Sequence, residues 1–277
     1  MPKTVIITGT SSGIGEETAL YFAEKGWNVI AAMRNPGKRT TRLHGNPKID
    51  LVHLDVTDNK SIADCVKFAV DKYKKIDALV NNAGYALMGP FETLDPVKIK
   101  AQYETNVFGL MEMTKAVLPH FRENRDGTII NITSIGGRIG VPLYSVYNST
   151  KWAVEGFSEA LYYEMIPFNI RVKLIEPGFI HTNFYTTSMD KEEVDDWGAY
   201  GESLKATLEG MESFPGSRPI VVAKTIYKAA AGRSRRLRYP TGSMAKPLMY
   251  LKRHMPEGLM LGVMKGTFKI KKGSAKQ

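Results

Sequence analysis

Along the first two thirds of the chain, short β-branched and apolar runs alternate with longer segments whose apolar residues recur every three or four positions. Val5-Ile6-Ile7, Val29–Ala32, Leu51–Leu54, Ala78–Val80, Ile129–Ile132 and Val172–Ile175 have strand length. Amphipathic stretches at about 14–25, 59–74, 97–122 and 147–167 have helix length, the first with Ile14, Ala19, Phe22 and Ala23 on its apolar face. Strands alternating with helices predict parallel βαβ units. Continuous apolar runs predict strands covered on both faces. The expected fold is therefore α/β, a doubly wound parallel sheet.

After Ile175 the pattern changes. Residues 183–217 are polar, aromatic and acidic, which predicts a mobile insertion over a site. A helix is expected again near 219–231 and a last strand near Leu237–Tyr239. The predicted organisation is one domain over residues 1–240, with the lid at 183–217, followed by a basic extension over 241–277.

Charge sharpens the division. Of the formal +10, residues 233–277 carry a surplus of +11, twelve Lys and Arg against Glu257 alone, and leave the rest at −1. Met and Leu accompany the charge from Ser243 to Lys272, and Pro247 and Pro256 interrupt any long helix. Three readings stand: packing over the site as part of the lid, contact with an anionic membrane surface, or a solvated basic end. Nucleic acid is not an expected partner, because no binding motif accompanies the charge. Cys65, the single cysteine, lies in an apolar-periodic stretch and reads as buried packing. No export signal or bilayer-length apolar run is found, so a cytoplasmic protein is expected and the sequons at Asn131 and Asn148 are accidental.

The candidate chemistry begins at Thr8-Gly9-Thr10-Ser11-Ser12-Gly13-Ile14-Gly15, between the first strand and the first helix. Glycines there permit a tight turn and close backbone approach, and the helix N-terminus offers amide hydrogens to a pyrophosphate. An NAD-binding fold places a carboxylate on the ribose at the end of the second strand. Here Met33 takes that position and Arg34 follows. A guanidinium pairs with a 2′-phosphate that a carboxylate would repel, which favours NADPH. Lys38, Arg39 and Arg42 either add to that field or form a solvated face. Asp55 and Val56 are placed to meet an adenine, and Asn81-Asn82-Ala83-Gly84 supplies small residues and amides beside the fourth strand.

Tyr147 and Lys151 stand four apart and share a helical face. A tyrosine is a poor acid or base near neutrality, but a nearby ammonium favours its phenolate, so the pair suits proton transfer at a carbonyl or alcohol. Ser134, just past the fifth strand, is placed to hydrogen-bond the same oxygen. The candidate pocket walls are Gly136, Val141, Leu143, Tyr144, Phe179, Phe184 and Tyr185, which predict an apolar ketone or aldehyde. His181 reads as a loop residue, because no ligand cluster surrounds it.

Thr8–Gly15, Asn81–Gly84, Asn106, Ser134, Tyr147-x-x-x-Lys151 and Pro177-Gly178 together resemble the short-chain dehydrogenase/reductase family over about residues 3–240. The resemblance implies a Rossmann fold, with Tyr147 as general acid/base and Ser134 orienting the carbonyl. It gives Lys151 the lowering of the tyrosine pKa and a bond to the nicotinamide ribose, and Asn106 a water that extends the proton relay. Ile180 and Thr182 would contact the nicotinamide carboxamide. Asn82-Ala83-Gly84 with Gly89-Pro90, and Pro177-Gly178 with His181-Thr182, are similar to the retinol and 17β-hydroxysteroid dehydrogenase branch, which includes many bacterial ketoreductases. Asn148-Ser149-Thr150 and Trp152 depart from the smaller residues usual there. The resemblance also implies a homodimer or homotetramer. A dinucleotide-sensing regulator, a membrane-associated lipid or steroid binder, and a dehydratase or epimerase remain as alternatives.

Overall fold

The first strand, β1 (Thr4–Thr8), is buried along its whole length, and its residues alternate between two cores. Val5 and Ile7 face one, with Phe22 and Ile226. Ile6 faces the other, with Cys65 and Val117. In this computed structural model, residues 2–38, 40–181, 189–191, 200–212 and 214–270 are described. Around β1 lies a seven-stranded sheet, all of whose pairs are parallel, in the order β3-β2-β1-β4-β6-β7-β9. Its other strands are β2 (Asn28–Met33), β3 (Ile49–His53), β4 (Ala78–Asn81), β6 (Gly127–Ile132), β7 (Ile170–Pro177) and β9 (Arg238–Thr241). The chain runs outward through β2 and β3, then returns to lay β4 against the other side of β1. That reversal opens a crevice at the carboxyl ends of β1 and β4, where α/β sheets bind ligands.

Helices cover both faces. On one lie α1 (Gly13–Glu24) and α7 (Pro219–Ala231), which meet through Tyr227, edge-on to Phe22 at 5.3 Å. On the other lie α2 (Asn59–Tyr73), α4 (Gly109–Asn124) and α5 (Ser145–Met165). Asp58 caps α2 by accepting from the Lys60 amide at 2.8 Å. Cys65 is fully buried in this layer, and burial pushes its thiol up to about 12. The single helix expected over 97–122 is two: α3 (Pro96–Tyr103) and α4, joined by a π-turn at Glu104–Phe108 that continues the amphipathic pattern and so leaves no break in the sequence.

Two features over the carboxyl edge have no clear sequence signal. Strand β5 (Ala86–Met88) pairs in parallel with β8 (Met189–Lys191), forming a separate two-stranded sheet. Within the expected lid, α6 (Gly201–Glu212) brings Leu208 onto the apolar cluster of Val141, Leu143, Tyr144 and Tyr147. Beyond β9 come α8 (Ala245–His254) and α9 (Glu257–Thr267), with Pro247 in the first turn of α8 and Pro256 in the break. Met260 and Phe268 are buried, and the Phe268 ring lies against Gly210 of α6. Among the described residues, no helix is long and apolar enough to cross a membrane.

Candidate active site

At the end of β1, the Thr8 hydroxyl accepts from the amides of Asn82 and Ala83 at 3.0 and 2.9 Å, fastening the turn after β1 to the turn after β4. Asn82 Nδ2 returns bonds to the carbonyls of Thr8 and Gly9 at 2.9 and 3.0 Å. The two turns are so close that a Cβ on Gly9 would stand 2.8 Å from Ala83 Cα and one on Gly15 2.6 Å from Asn82 Nδ2. Gly9 and Gly13 have φ of +70° and +61°, conformations that side chains resist. Ser12 precedes α1 with no capping hydrogen bond from its side chain. The first turn of α1 thus keeps its amide hydrogens, and the Ser12 hydroxyl stands beside them, as a phosphate site requires.

These residues form one end of a cleft of about 930 Å³, into which Gly9, Ser11, Ser12, Gly13, Ile14 and Gly15 all face. Arg34, Asp55 and Val56 line the same end. Arg34 is exposed, and its carbonyl accepts from His53 Nδ1 at 2.6 Å. Among the described residues its guanidinium makes no ion pair. Arg42, by contrast, is committed to Glu16 and Glu17 of α1 at 3.1 and 2.6 Å, so the suggestion that it adds to a free positive field is corrected. Lys38 is exposed, and Arg39 lies outside the described residues. Burial pushes the Asp55 carboxyl up, but Thr57 donors with Arg34 and His53 outweigh it and hold the group below the usual range. Buried Met33 leaves no carboxylate at the end of β2. The group this end fits is a dinucleotide with its pyrophosphate on α1.

The other end belongs to α5 and the loop after β6. Tyr147 lies in the first turn of α5 and Lys151 one turn on. Both line the cleft with Ser134. Lys151 is 7% exposed, and its ammonium donates to the Ile132 carbonyl at 2.9 Å, 5.7 Å from the Tyr147 ring centre. Burial pushes its pKa down to about 8. Ser134 Oγ accepts from the Gly136 amide at 3.0 Å, which fixes its lone pairs and leaves its proton to give.

Asn106 sits in the π-turn and is 1% exposed. Its Oδ1 accepts from the Tyr85 amide at 3.0 Å, and its Nδ2 donates to the Tyr85 carbonyl at 2.8 Å and to Thr150 Oγ1 at 3.2 Å. It braces the strand end from behind Gly84, where a Cβ would stand 2.9 Å from Oδ1 and 3.8 Å from the Lys151 ammonium. Asn82, Ala83 and Gly84 themselves line the cleft.

Pro177, Gly178 and Ile180 form its far wall. Gly178 donates to the Thr241 carbonyl at 2.9 Å, and a Cβ on it would meet the Ser243 carbonyl oxygen at 1.9 Å. Thr182, Phe184 and Tyr185 lie outside the described residues. Of the expected substrate walls, Gly136, Val141, Tyr144 and Phe179 face the cleft. Leu143 does not. It packs behind them with Ala86 and Met88, because its φ of +66° turns the chain there. Among wall residues the sequence did not flag are Tyr85, Glu104 and Thr105. The latter two come from the π-turn, which has no sequence signature. Asn148 also lines the wall, and its departure from a small residue was the available signal. Among the described residues, no group of three His, Cys, Asp or Glu could hold a metal.

A family model described as short chain dehydrogenase matches residues 3–193. A 3-ketodihydrosphingosine reductase of Bacteroides thetaiotaomicron is 34% identical over 262 residues, 94% of this chain and 95% of its own. Retinol dehydrogenase 8 of Bos taurus is 33% identical over 273 residues, 93% of this chain and 87% of its own. Among solved structures, a short-chain dehydrogenase from Streptomyces avermitilis superposes with a TM-score of 0.83 at 30% identity, covering 98% of this chain and all of that one. ElxO with NADP bound superposes with a TM-score of 0.70 at 30% identity, covering 83% of this chain and 92% of that one.

Proposed function

The chain belongs to the short-chain dehydrogenase family, and from that premise we propose that it is an NADPH-dependent reductase of apolar ketones or aldehydes. It is an oxidoreductase that uses a nicotinamide dinucleotide. The finer reading rests on one observation above all: Ser134, Tyr147 and Lys151 meet at one end of a cleft whose other end carries the glycine turn and Arg34.

When bound, NADPH supplies the hydride that reaches the carbonyl carbon. The Ser134 hydroxyl donates to the carbonyl oxygen and holds it beside Tyr147. As charge grows on that oxygen, Tyr147 gives it the phenolic proton. The Lys151 ammonium, held by the Ile132 carbonyl, makes the resulting phenolate less costly. In the reverse direction the phenolate removes the alcohol proton. Arg34 pairs with the 2′-phosphate, a reading that gains support from NADP in ElxO. The apolar substrate class is supported by Val141 and Tyr144 on the wall and Leu208 packed over their cluster. Relatives named for a ketosphingoid base and for retinol are in keeping with it.

The test follows loss of NADPH and of NADH absorbance with aryl ketones, aldehydes, retinal and ketosteroids. Turnover with NADPH that vanishes in Tyr147→Phe is expected. NADPH binding with no turnover of any carbonyl would favour a sensing role instead.

A further inference from the structure

Behind the reacting end lies a set of acids and half-exposed arginines, Glu155 and Glu176 buried among them, that the chemistry above does not use. Glu155 stands one turn beyond Lys151 on α5 and is 5% exposed. Its Oε1 accepts from Thr133 Oγ1 at 2.8 Å, a proton that Thr133 shares with the Ile175 carbonyl at 3.0 Å, and Thr133 is the neighbour of Ser134. Its Oε2 accepts from Arg238 Nε at 2.9 Å. Glu176, 2% exposed, immediately precedes the Pro177-Gly178 wall. Its Oε1 has no hydrogen-bond partner among the described residues, although Arg138 and Arg238 stand 3.6 and 3.7 Å away. Arg238 also holds Glu159 at 2.5 Å. The loop after Ser134 packs directly on this part of α5: a Cβ on Gly137 would lie 3.1 Å from the Lys151 carbonyl oxygen and 3.2 Å from Glu155 Cγ.

Three carboxyls thus share two close guanidiniums, and the hydrogen bonds go to Glu155 and Glu159. Among the described residues, Glu176 Oε1 is left without one. That arrangement suits a proton on Glu176, since a buried carboxylate with no direct hydrogen bond to its Oε1 and a second buried carboxylate beside it is costly, even with two guanidiniums in range. Burial and the Glu155 charge push the Glu176 carboxyl up to about 7, against the pull of Arg138, Arg238 and Arg236.

We propose that Glu155 and Glu176 are positioning residues, a buried acid pair that registers the Ser134 loop and the Pro177-Gly178 wall against the Tyr147–Lys151 helix, with the proton on Glu176. Ionising Glu176 draws Arg238 from Glu155 Oε2, so the carboxylate that receives the Thr133 hydroxyl loses its anchor and the registration weakens as pH rises through neutrality. The inference rests on the reductase reading for its rate effects, but its stability effect does not.

The sign follows from linkage. A carboxyl raised from 4.5 to about 7 in the folded protein favours folding below its unfolded value and loses that contribution as pH rises through the folded one. The experiment compares wild type, Glu176→Gln, Glu155→Gln and Thr133→Val, full length, by melting and by carbonyl reduction between about pH 5 and 8. The wild-type melting temperature should fall with rising pH relative to Glu176→Gln, which mimics the neutral carboxyl. Glu176→Gln should likewise remove an inflection near neutrality from the wild-type kcat profile. Glu155→Gln should lower kcat by about tenfold or more with KM values nearly unchanged, the signature of lost transition-state alignment. Thr133→Val, which keeps every charge, should reproduce part of that loss and decides the point if Glu155→Gln does not fold. Identical pH dependence of melting in wild type and Glu176→Gln overturns the proposal, as does Thr133→Val with unaltered kcat. If wild type reduces no carbonyl, the reductase reading fails by itself and the melting comparison still judges the acid pair.

Discussion

Lys151 reaches from α5 to the last residue of β6, giving the Ile132 carbonyl a 2.9 Å hydrogen bond with the lysine side chain almost wholly out of water. The bond fixes where the charge sits relative to Tyr147. Lys151→Met should therefore raise the Tyr147 pKa and lower alcohol oxidation at neutral pH by about 10²–10⁴-fold, with partial recovery toward about pH 10. Wild type should show no such need for alkali. Its lysine, pushed down to about 8 by burial before cofactor binds, loses its charge as pH rises through that value. A variant with wild-type rate at neutrality would remove Lys151 from the proton chemistry.

The proposed preference for NADPH rests on Arg34. The adjacent Met33 is buried, and Asp55, held ionised, already supplies one negative charge nearby. Arg34→Asp should lower affinity for NADPH by about 10–100-fold, the worth of a charged hydrogen bond or two, and leave NADH bound as well or better. Titration of protein fluorescence with each dinucleotide measures it. Equal losses for both would mean that Arg34 supports the turn rather than the phosphate.

Gly15→Ala inserts a methyl 2.2 Å from the Gly9 carbonyl oxygen and 2.6 Å from Asn82 Nδ2, atoms that are held by backbone geometry and by the Thr8 bonds. The two turns must part. A destabilisation of about 1–3 kcal/mol is expected, with dinucleotide affinity falling as well. Gly26→Ala is a poor control because Gly26 has φ of +81°. Gly156→Ala, with open space around it, should leave binding intact.

Cys65 is fully buried against the α2–α4 core, and its thiol is pushed up to about 12. The thiolate is the reactive form. A thiol reagent at about pH 8 should leave the native protein untouched and label it fully once unfolded. Labelling at the same rate in both states would contradict the packing of α2.

The sheet and the meeting of Tyr147 and Lys151 on one cleft wall were legible because each rests on a contiguous signal. Parallel strands covered on both faces leave unbroken runs such as Val5-Ile6-Ile7, and Tyr147 and Lys151 share one helical turn. Relationships that join distant segments left no such trace. Arg42 looked free until the fold brought it against Glu16 and Glu17. Glu155, Glu176 and Arg238 converge only because β7 and β9 are neighbours behind α5. The π-turn that places Glu104 and Thr105 on the cleft wall hides inside an ordinary amphipathic pattern. Strand β5 is three residues long, too short for periodicity to find.

The basic extension offers the last test, because its charge suggested several roles while its buried residues indicate one. Phe268 is 1% exposed, and its ring takes the place that a side chain on Gly210 would need. Glu209, next along α6, pairs with Lys269 at 3.7 Å. On the other side of Glu209, Leu208 packs with Val141, Tyr144 and Tyr147. The extension therefore props the helix that covers the reacting end. Phe268→Ala should cost up to about 3–5 kcal/mol locally and let α6 lift. Because Leu208 of α6 packs at the substrate end, KM for the carbonyl should rise several-fold while the NADPH dissociation constant stays near wild type. Lys269→Ala removes only an exposed ion pair, worth about 0–1 kcal/mol, and should do neither. If Phe268→Ala lowers the melting temperature but leaves the carbonyl KM unmoved, the extension stabilises the protein without shaping its pocket.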